Sequence, residues 1–357
     1  MKKIIIGILV SLIFFACSEK KKNSYKQENI RISDSLMPCK ELSIEKVELP
    51  EEFAASRYYV ISDSILLIVH DKAPDPYYVS IVNMNNMEII NQLYMRGNGP
   101  NDLLSIFAYI NKDYVCIEDF TKSIIMHIKT ESLLSKSFKY PSQTKIKDTY
   151  GGFNWINDTT IVITNGWYYE EMIKNDSVPE LLYLDNNGEY IQNYPKTKSG
   201  IFSANYSGGF LATNKEKKVF YYAKKTHPEI IFYKDTMPIK IYYGPDEDNT
   251  EFQLEQNTIL RFKDNYHYYY YDYCASTNNV FFKNLRSHGK VGENPLEKEK
   301  QTTEIFRLDW DGNLIGRYKI RGKNLAGISF CEETNTLYVT SYDEVEERTL
   351  YKAVLPN

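Results

Sequence analysis

Clustered carboxylates are the first candidates for catalytic or metal-binding residues in this chain, because neighbouring acids can act as general acid and base or bind a hard cation. The densest run, Asp246-Glu247-Asp248, lacks the spaced aspartates and the glycine of a dedicated calcium loop, which favours a solvated turn. The five histidines have no HxxxH or HxH spacing, so the sequence predicts no zinc site. No GxSxG elbow is present. The other acidic pairs are Glu118-Asp119, Glu332-Glu333 and Asp343-Glu344.

Clustered aromatic side chains are the second candidate for function. Trp167-Tyr168-Tyr169 follows an Asn-Gly turn signal and precedes two glutamates, a composition that suits binding of a glycan or a protein, or simply covering the sheet beneath. In the run 266–273, Tyr268 and Tyr270 are candidate ligand-binding residues, because tyrosine offers a broad apolar face with a polar tip. The alternative, which the sequence favours, is an ordinary strand whose tyrosines alternate between two faces.

The first residues predict export. Lys2 and Lys3 precede an apolar run that is too short to span a bilayer, and Ala16 and Cys17 follow it, as in a signal peptide over residues 1–16. The end of this run resembles the bacterial lipobox, which implies that Cys17 is lipidated. Residues 17–40 then form a lipidated, flexible tether. The sequence therefore predicts a protein held in the cell envelope of a bacterium through a lipid membrane, with the outer membrane favoured and the face of that membrane left open.

The charge and the cysteines exclude some partners and leave one question open. A formal net charge of −4 argues against a nucleic-acid partner, which favours a basic surface. The cysteines form no CxxC pair, and two lie in strand-like runs, so free, buried thiols are favoured over disulfides. The residues concerned are Cys39, Cys116, Cys274 and Cys331.

Past residue 40 the sequence predicts a succession of short β-strands. Runs rich in β-branched and aromatic residues alternate with turn signals such as Asp185-Asn186-Asn187-Gly188 and Asp311-Gly312. Units of four strands begin roughly 50 residues apart, the period of a β-propeller blade. The sequence therefore predicts an all-β fold, a six-bladed β-propeller over residues 41–357. Seven blades are the main alternative, and a pair of β-sandwiches is a weaker one.

The two ends of the chain predict how the propeller closes. Ile44–Pro50 reads as an alternating strand without a hairpin partner, while the last unit lacks a fourth strand. An N-terminal strand that completes the C-terminal blade would leave no open edge in the ring.

One loop resembles a known family. The segment 94–104, YMRGNGPNDLL, is similar to the R-G-x-G-P-x-[DE]-[FL] segment of the TolB-like six-bladed β-propeller lipoproteins of Gram-negative bacteria. In that family the segment joins the first two blades behind a lipobox, as the spacing here predicts. The matching residues are Arg96, Gly97, Gly99, Pro100 and Asp102, and we expect them to form a structural turn rather than a phosphate-binding loop, in which Arg96 and Asp102 can pair.

These observations favour a non-enzymatic binding or scaffold module, anchored to a membrane, for a protein or glycan ligand. The resemblance implies no defined activity, and no cofactor is predicted. The alternative is a metal-assisted hydrolase or lactonase that uses the propeller channel, with Glu118, Asn154 and Asp272 as candidates from three different blades. A third hypothesis is an accessory factor in nutrient uptake that binds glycans through its clustered aromatics.

Overall fold

The computed structural model describes residues 27–53, 57–70, 76–111, 113–135, 137–146, 152–164, 181–191, 208–225, 227–245, 252–255, 259–262, 270–286, 302–323, 325–342 and 348–356. In these ranges the helices are a 3-10 helix at Glu51–Phe53 and α1 at Thr130–Leu133. None of these described helices is long and apolar enough to cross a membrane. The strands, in chain order, are β1 Glu28–Arg31, β2 Lys40–Glu41, β3 Glu45–Lys46, β4 Arg57–Ser62, β5 Ile65–Val69, β6 Tyr77–Asn83, β7 Glu88–Met95, β8 Phe107–Asn111, β9 Tyr114–Asp119, β10 Ile124–Lys129, β11 Thr144–Lys145, β12 Phe153–Trp155, β13 Thr160–Thr164, β14 Leu181–Asp185, β15 Gly209–Asn214, β16 Val219–Lys224, β17 Glu229–Lys234, β18 Met237–Tyr243, β19 Phe252–Glu255, β20 Ile259–Phe262, β21 Tyr270–Ala275, β22 Asn279–Arg286, β23 Thr302–Asp309, β24 Leu314–Arg321, β25 Leu325–Cys331, β26 Thr336–Tyr342 and β27 Arg348–Val354.

Most of these strands form antiparallel meanders, in which each strand pairs with the next one along the chain. Meander 1 is β4–β7, meander 2 is β8–β11, meander 3 is β12–β14, meander 4 is β15–β18, meander 5 is β21–β24 and meander 6 is β25–β27. The first strands of meanders 3, 4, 5 and 6 approach one another in this order, and the first strand of meander 6 approaches that of meander 1. A parallel pair, Asn111 with Ala275, joins meanders 2 and 5. This arrangement is a β-propeller, as the sequence predicted, with the first strand of each meander beside the central channel.

The burial of each strand follows from its place in a meander. The second strands β5, β13 and β16 lie between two neighbouring sheets, and their side chains are almost all buried. They accordingly read as continuous apolar runs instead of alternating ones. The fourth strands of meanders 1 and 4, β7 and β18, are half exposed along most of their length.

Two hairpin turns have the same chemistry. The Asp185 carboxylate accepts the backbone N–H groups of residues 187 and 189, and the Asp309 carboxylate accepts those of residues 311 and 313. In both turns the next glycine has a positive φ, 80° at Gly188 and 83° at Gly312, which an L side chain rarely adopts. The repeated Asp-x-x-Gly signal in the sequence therefore predicted two real turns.

The N-terminal segment lies along the outer edges of three meanders. β1 pairs in parallel with β18, β2 pairs in parallel with β24, and β3 pairs antiparallel with β27, which confirms the strand expected to complete the last unit. The expected tether over residues 17–40 must be corrected, because strands begin at residue 28 and the folded part therefore starts before residue 41. The segment covers backbone groups that would otherwise be open sheet edges.

All four cysteines of the described residues carry free thiols, as the sequence favoured. Cys116, Cys274 and Cys331 are buried in strands, while Cys39 is half-buried beside β2. Burial raises the pKa of the Cys116 thiol to about 12, which keeps it protonated and unreactive at neutral pH.

Candidate functional site

The loop that resembles the TolB-like segment is a clip between meanders 1 and 2. The Asp102 carboxylate accepts the N–H of Gly99 at 2.9 Å, and Lys122 donates to the carbonyl oxygens of Gly99 and Asp102 at 3.1 and 2.6 Å. The Asp119 carboxylate accepts the N–H of Leu104 and the hydroxyl of Ser105, each at 2.7 Å. These bonds tie the loop to the turn between β9 and β10.

The residues that match the TolB-like segment have structural roles in this clip. A Cβ atom on Gly97 or Gly99 would lie 2.7 or 2.6 Å from the Asp102 carboxylate, so a side chain at either position would push that carboxylate away from its bond to the Gly99 N–H. Arg96 does not pair with Asp102 as the sequence suggested. Its guanidinium stacks on the Tyr78 ring at 4.0 Å and donates to the carbonyl oxygen of residue 70. The carbonyl oxygen of Pro100 accepts a hydrogen bond from residue 143.

The clustered aromatics fare differently from one another. Trp167, Tyr168, Tyr169 and Tyr268 lie outside the described residues. Tyr270 is described, and it is completely buried, packed edge-on against Phe282 and Phe306, so it is not an open ligand platform. A register shift between residues 270 and 272 breaks the strand's alternation and places Tyr270 in the same core cluster as Tyr273.

Two of the three candidates for the enzyme alternative, Asn154 and Asp272, already form hydrogen bonds within the protein. The Asn154 amide is fully buried, donates to the carbonyl oxygen of Leu211 at 2.9 Å, and contacts the Tyr273 hydroxyl at 3.2 Å. The Asp272 carboxylate accepts the N–H groups of residues 273 and 328. Among the residues that the structure describes, no group of three or more His, Cys, Asp or Glu side chains could hold a metal ion.

Aromatic side chains fill the interior of the channel. The Tyr109 ring stacks on the Tyr273 ring, with centroids 5.9 Å apart. It also packs edge-on against the rings of Phe153 and Phe210, with centroids 6.1 and 6.5 Å away. These four rings come from the first strands of meanders 2, 3, 4 and 5. The channel is thereby plugged where they meet.

The mouth of the channel at the end where the first strands begin presents two aromatic rings and a cation. Phe107, the first residue of β8, is 41% exposed, and Phe120 at the end of β9 is 45% exposed, with ring centroids 5.7 Å apart. The Arg57 guanidinium lies over the Phe107 ring at 5.1 Å and donates to the carbonyl oxygen of Ile106. We call Arg57, Phe107 and Phe120 the mouth cluster.

Sequence reasoning did not select the mouth cluster, and one available signal points to it. Arg57 and Phe107 are each the first residue of an innermost strand, the position that brings a side chain to the channel rim. That position can be recognised only after the register of the blades is known, because single aromatics and arginines are common in every strand.

Comparisons with known proteins support the fold alone. No family model matches the chain, and no curated protein matches it. Among solved structures, a protein of Bacteroides fragilis NCTC 9343 that is named as exported aligns over 93% of this chain and 100% of its own, at 11% identity and a TM-score of 0.56. A DUF4221 family member of Bacteroides vulgatus ATCC 8482 aligns over 88% and 98%, at 14% identity and a TM-score of 0.48. The WD40 domain of Neurospora crassa Pan2 aligns over 89% and 95%, at 9% identity and a TM-score of 0.44.

Beneath the mouth of the propeller, Glu118 is a carboxyl group with an unusual pKa. Glu118 on β9 pairs with Phe107 on β8, and it is 3% exposed. Burial, and then the neighbouring Asp119 carboxylate, raise the pKa of Glu118 to about 7. In β22 of meander 5, burial lowers the pKa of Lys283 to about 8, while Asp272 opposes that change.

The raised pKa of Glu118 makes a prediction for stability. A carboxyl whose folded pKa of about 7 lies above its unfolded value of 4.5 stabilises the fold below pH 4.5 and loses that contribution as pH rises through 7. The unfolding free energy of Glu118→Gln relative to wild type should therefore rise by about 3 kcal/mol when the pH is raised from about 4 to about 8. Urea unfolding at both pH values measures this gain, with the exposed Glu189→Gln as a control that should show none. A gain that does not change with pH would contradict the assignment.

Proposed function

We propose that this protein is a lipid-anchored binding or scaffold module of the bacterial cell envelope, and that its propeller binds a protein or glycan ligand at the channel mouth. The signal sequence and the lipobox-like Cys17 support the anchor, with the outer membrane as the favoured site. The mouth cluster carries the proposal for binding, because two exposed, adjacent phenyl rings beside a guanidinium are atypical of a surface that remains in water.

We further infer that the propeller has six blades and is of the TolB-like type. The six meanders support this count, with β3 completing the last one. The glycine-rich clip between meanders 1 and 2 is in the position that the resemblance implies. Its dense hydrogen bonding is consistent with a role in holding two blades together rather than in binding a ligand.

The ligand proposed for the mouth fits the composition of the cluster. A phenyl ring stacks well on the apolar face of a sugar or on a side chain of a protein partner, and the nearby guanidinium adds a positive charge. Binding energy at such a surface is concentrated in a few large aromatic and arginine side chains. Phe107 and Phe120 are therefore the residues whose loss should matter most.

The test compares capture by wild type with capture by Phe107→Ser/Phe120→Ser, using envelope extracts and an array of glycans as sources of ligand. We expect a ligand held by wild type to bind the double variant at least tenfold more weakly. Ile89→Ser is the matched control, since Ile89 is 48% exposed on the outer strand β7 and should keep binding intact. Equal capture by wild type and the double variant, or no capture, would contradict binding at the mouth.

The lipid anchor is tested separately, by fractionating bacterial cells that produce the protein. Cys17→Ala should move the protein from the membrane fraction to the soluble fraction, because alanine has no thiol to form the thioether with the lipid. An unchanged membrane fraction would contradict lipid anchoring through Cys17 and would leave the result for the mouth cluster untouched.

A further inference from the structure

A groove lies between the turn ends of meanders 5 and 6, at the end of the propeller opposite the mouth. Two adjoining cavities, of about 390 and 640 Å³, form it. The N-terminal segment at Met37 and Pro38, together with Pro356, forms the wall of the larger cavity. The residues that line both cavities are Arg307, Ile315, Glu332 and Asn335.

Arg307 is held in a fixed orientation in this groove. Its Nε donates to the Asn279 amide oxygen at 2.8 Å, and its guanidinium lies over the rings of Phe281 and Phe330 at 5.7 and 5.6 Å. Asn279 in turn donates to the Glu332 carboxylate at 3.2 Å. This chain of contacts fixes the guanidinium plane before any ligand arrives, which lowers the entropy lost on binding.

The acidic side chains of the groove already have partners within the protein. Glu332 accepts the N–H groups of residues 277 and 278 as well as the amide of Asn279. Asp309 accepts N–H groups within its own turn, and Asp311 pairs with Lys217 at 2.8 Å. Arg307, by contrast, uses only its Nε in hydrogen bonds with the described residues, so the terminal nitrogens of its fork are available to a carboxylate.

The apolar part of the groove is aliphatic. Ile315 is 43% exposed beside Arg307, whereas the aromatic rings of Phe281 and Phe330 are covered by the guanidinium. A sugar ring would need an open aromatic face on which to stack, and here the faces nearest the cation are occupied. An aliphatic side chain next to a carboxylate fits better, and the end of a peptide chain provides both groups on one residue.

We propose that this groove binds the C-terminal carboxylate of a peptide whose last side chain is aliphatic. Arg307 accepts the carboxylate in a bidentate pair, Ile315 packs against the side chain, and Asn279 is a positioning residue for the guanidinium. This site is separate from the mouth cluster and does not depend on its function.

The test is calorimetric titration of the full-length protein in detergent with an N-acetylated peptide that ends in leucine, in free-acid and amide forms. We expect the free acid to bind at least tenfold more tightly than the amide. Arg307→Lys should lose most of this preference, because a lysine cannot form the bidentate pair. Arg321→Lys is the matched control, since Arg321 is an exposed arginine of the same meander and should leave binding unchanged.

A second readout separates positioning from folding. Asn279→Ala should weaken binding of the free acid several-fold, and so reduce its preference over the amide, while leaving the near-ultraviolet circular dichroism unchanged. Equal binding of acid and amide, absence of binding by either, or Arg307-dependent binding of glucuronate in place of the peptide would overturn the proposal.

Discussion

Replacing Arg317 with methionine should lower the free energy of unfolding by about 3–5 kcal/mol, because it leaves a carboxylate buried without its counter-ion. Arg317 on β24 and Glu304 on β23 form a two-bond pair, with Nε to Oε2 at 3.0 Å and Nη2 to Oε1 at 3.2 Å. Their side chains are 4% and 3% exposed. Arg317 also reaches Asp34 at 2.6 Å, in the turn between β1 and β2, so the N-terminal segment loses a contact as well. Guanidinium unfolding at neutral pH measures the loss.

A second variant on the same sheet serves as the control for this prediction. Arg321 pairs with Glu41 at 3.3 Å while 60% exposed, and Arg321→Met should cost less than about 1 kcal/mol because exposed ion pairs contribute little. The double variant Glu304→Met/Arg317→Met should recover most of the loss, since an apolar pair no longer strands a charge. A small effect of Arg317→Met, equal to that of Arg321→Met, would show that the buried pair is not what stabilises this sheet.

The contrast between these two arginines illustrates what the sequence can and cannot reveal. Short strands, their turns and the closing strand β3 were predictable, because each follows from local composition or from a turn aspartate such as Asp309. Whether an arginine lies in the core or on the surface was not predictable. Arg317 and Arg321 lie on one strand, four residues apart, and only the packing of neighbouring strands separates them.

The N-terminal segment was missed for a related reason. β1 and β2 have four and two residues, are mostly polar, and add to sheet edges through backbone hydrogen bonds. Such strands leave almost no pattern in their side chains, so residues 28–40 were assigned to the tether, together with residues 17–27. Local patterns describe the faces of sheets well, but edges are recognised through backbone groups that every residue has.

The candidate sites show the same limit. Tyr270 was predicted as a candidate ligand-binding residue because it lies in a run of tyrosines, but the structure buries it completely, next to a register shift in its strand. The mouth cluster and the groove at Arg307 depend on which strands lie innermost and which turns are neighbours. Which strands lie innermost and which turns are neighbours are both set when the ring of blades closes, so the sequence of a single strand cannot reveal them.

Replacing His127 with phenylalanine should make the protein more resistant to acid. The imidazole is stacked between the rings of Tyr114 and Trp155, with centroids 3.9 and 4.7 Å apart, and its Nδ1 lies 3.3 Å from the ammonium of Lys215. Burial, and then the charge of Lys215, lower the pKa of His127 to about 3. The folded protein therefore holds this ring neutral, while the unfolded chain takes up a proton near pH 6.5.

The sign of the effect follows from this difference in proton affinity. A histidine whose folded pKa is depressed contributes its full stability above pH 6.5 and loses it as pH falls towards 3, a loss of about 3–5 kcal/mol for this shift. Phenylalanine keeps a flat ring between Tyr114 and Trp155 but cannot bind a proton, so His127→Phe should lack this loss.

The measurement is the unfolding free energy of wild type and His127→Phe in urea, at about pH 7 and about pH 3.5. Subtracting one protein from the other cancels every other titrating group, including Glu118, whose raised pKa acts in the opposite direction. Lys215→Met provides an internal check, because removing the cation should raise the pKa of His127 and reduce the loss on acidification. If wild type and His127→Phe lose equal stability in acid, the stacked imidazole is not held neutral and protonates in place.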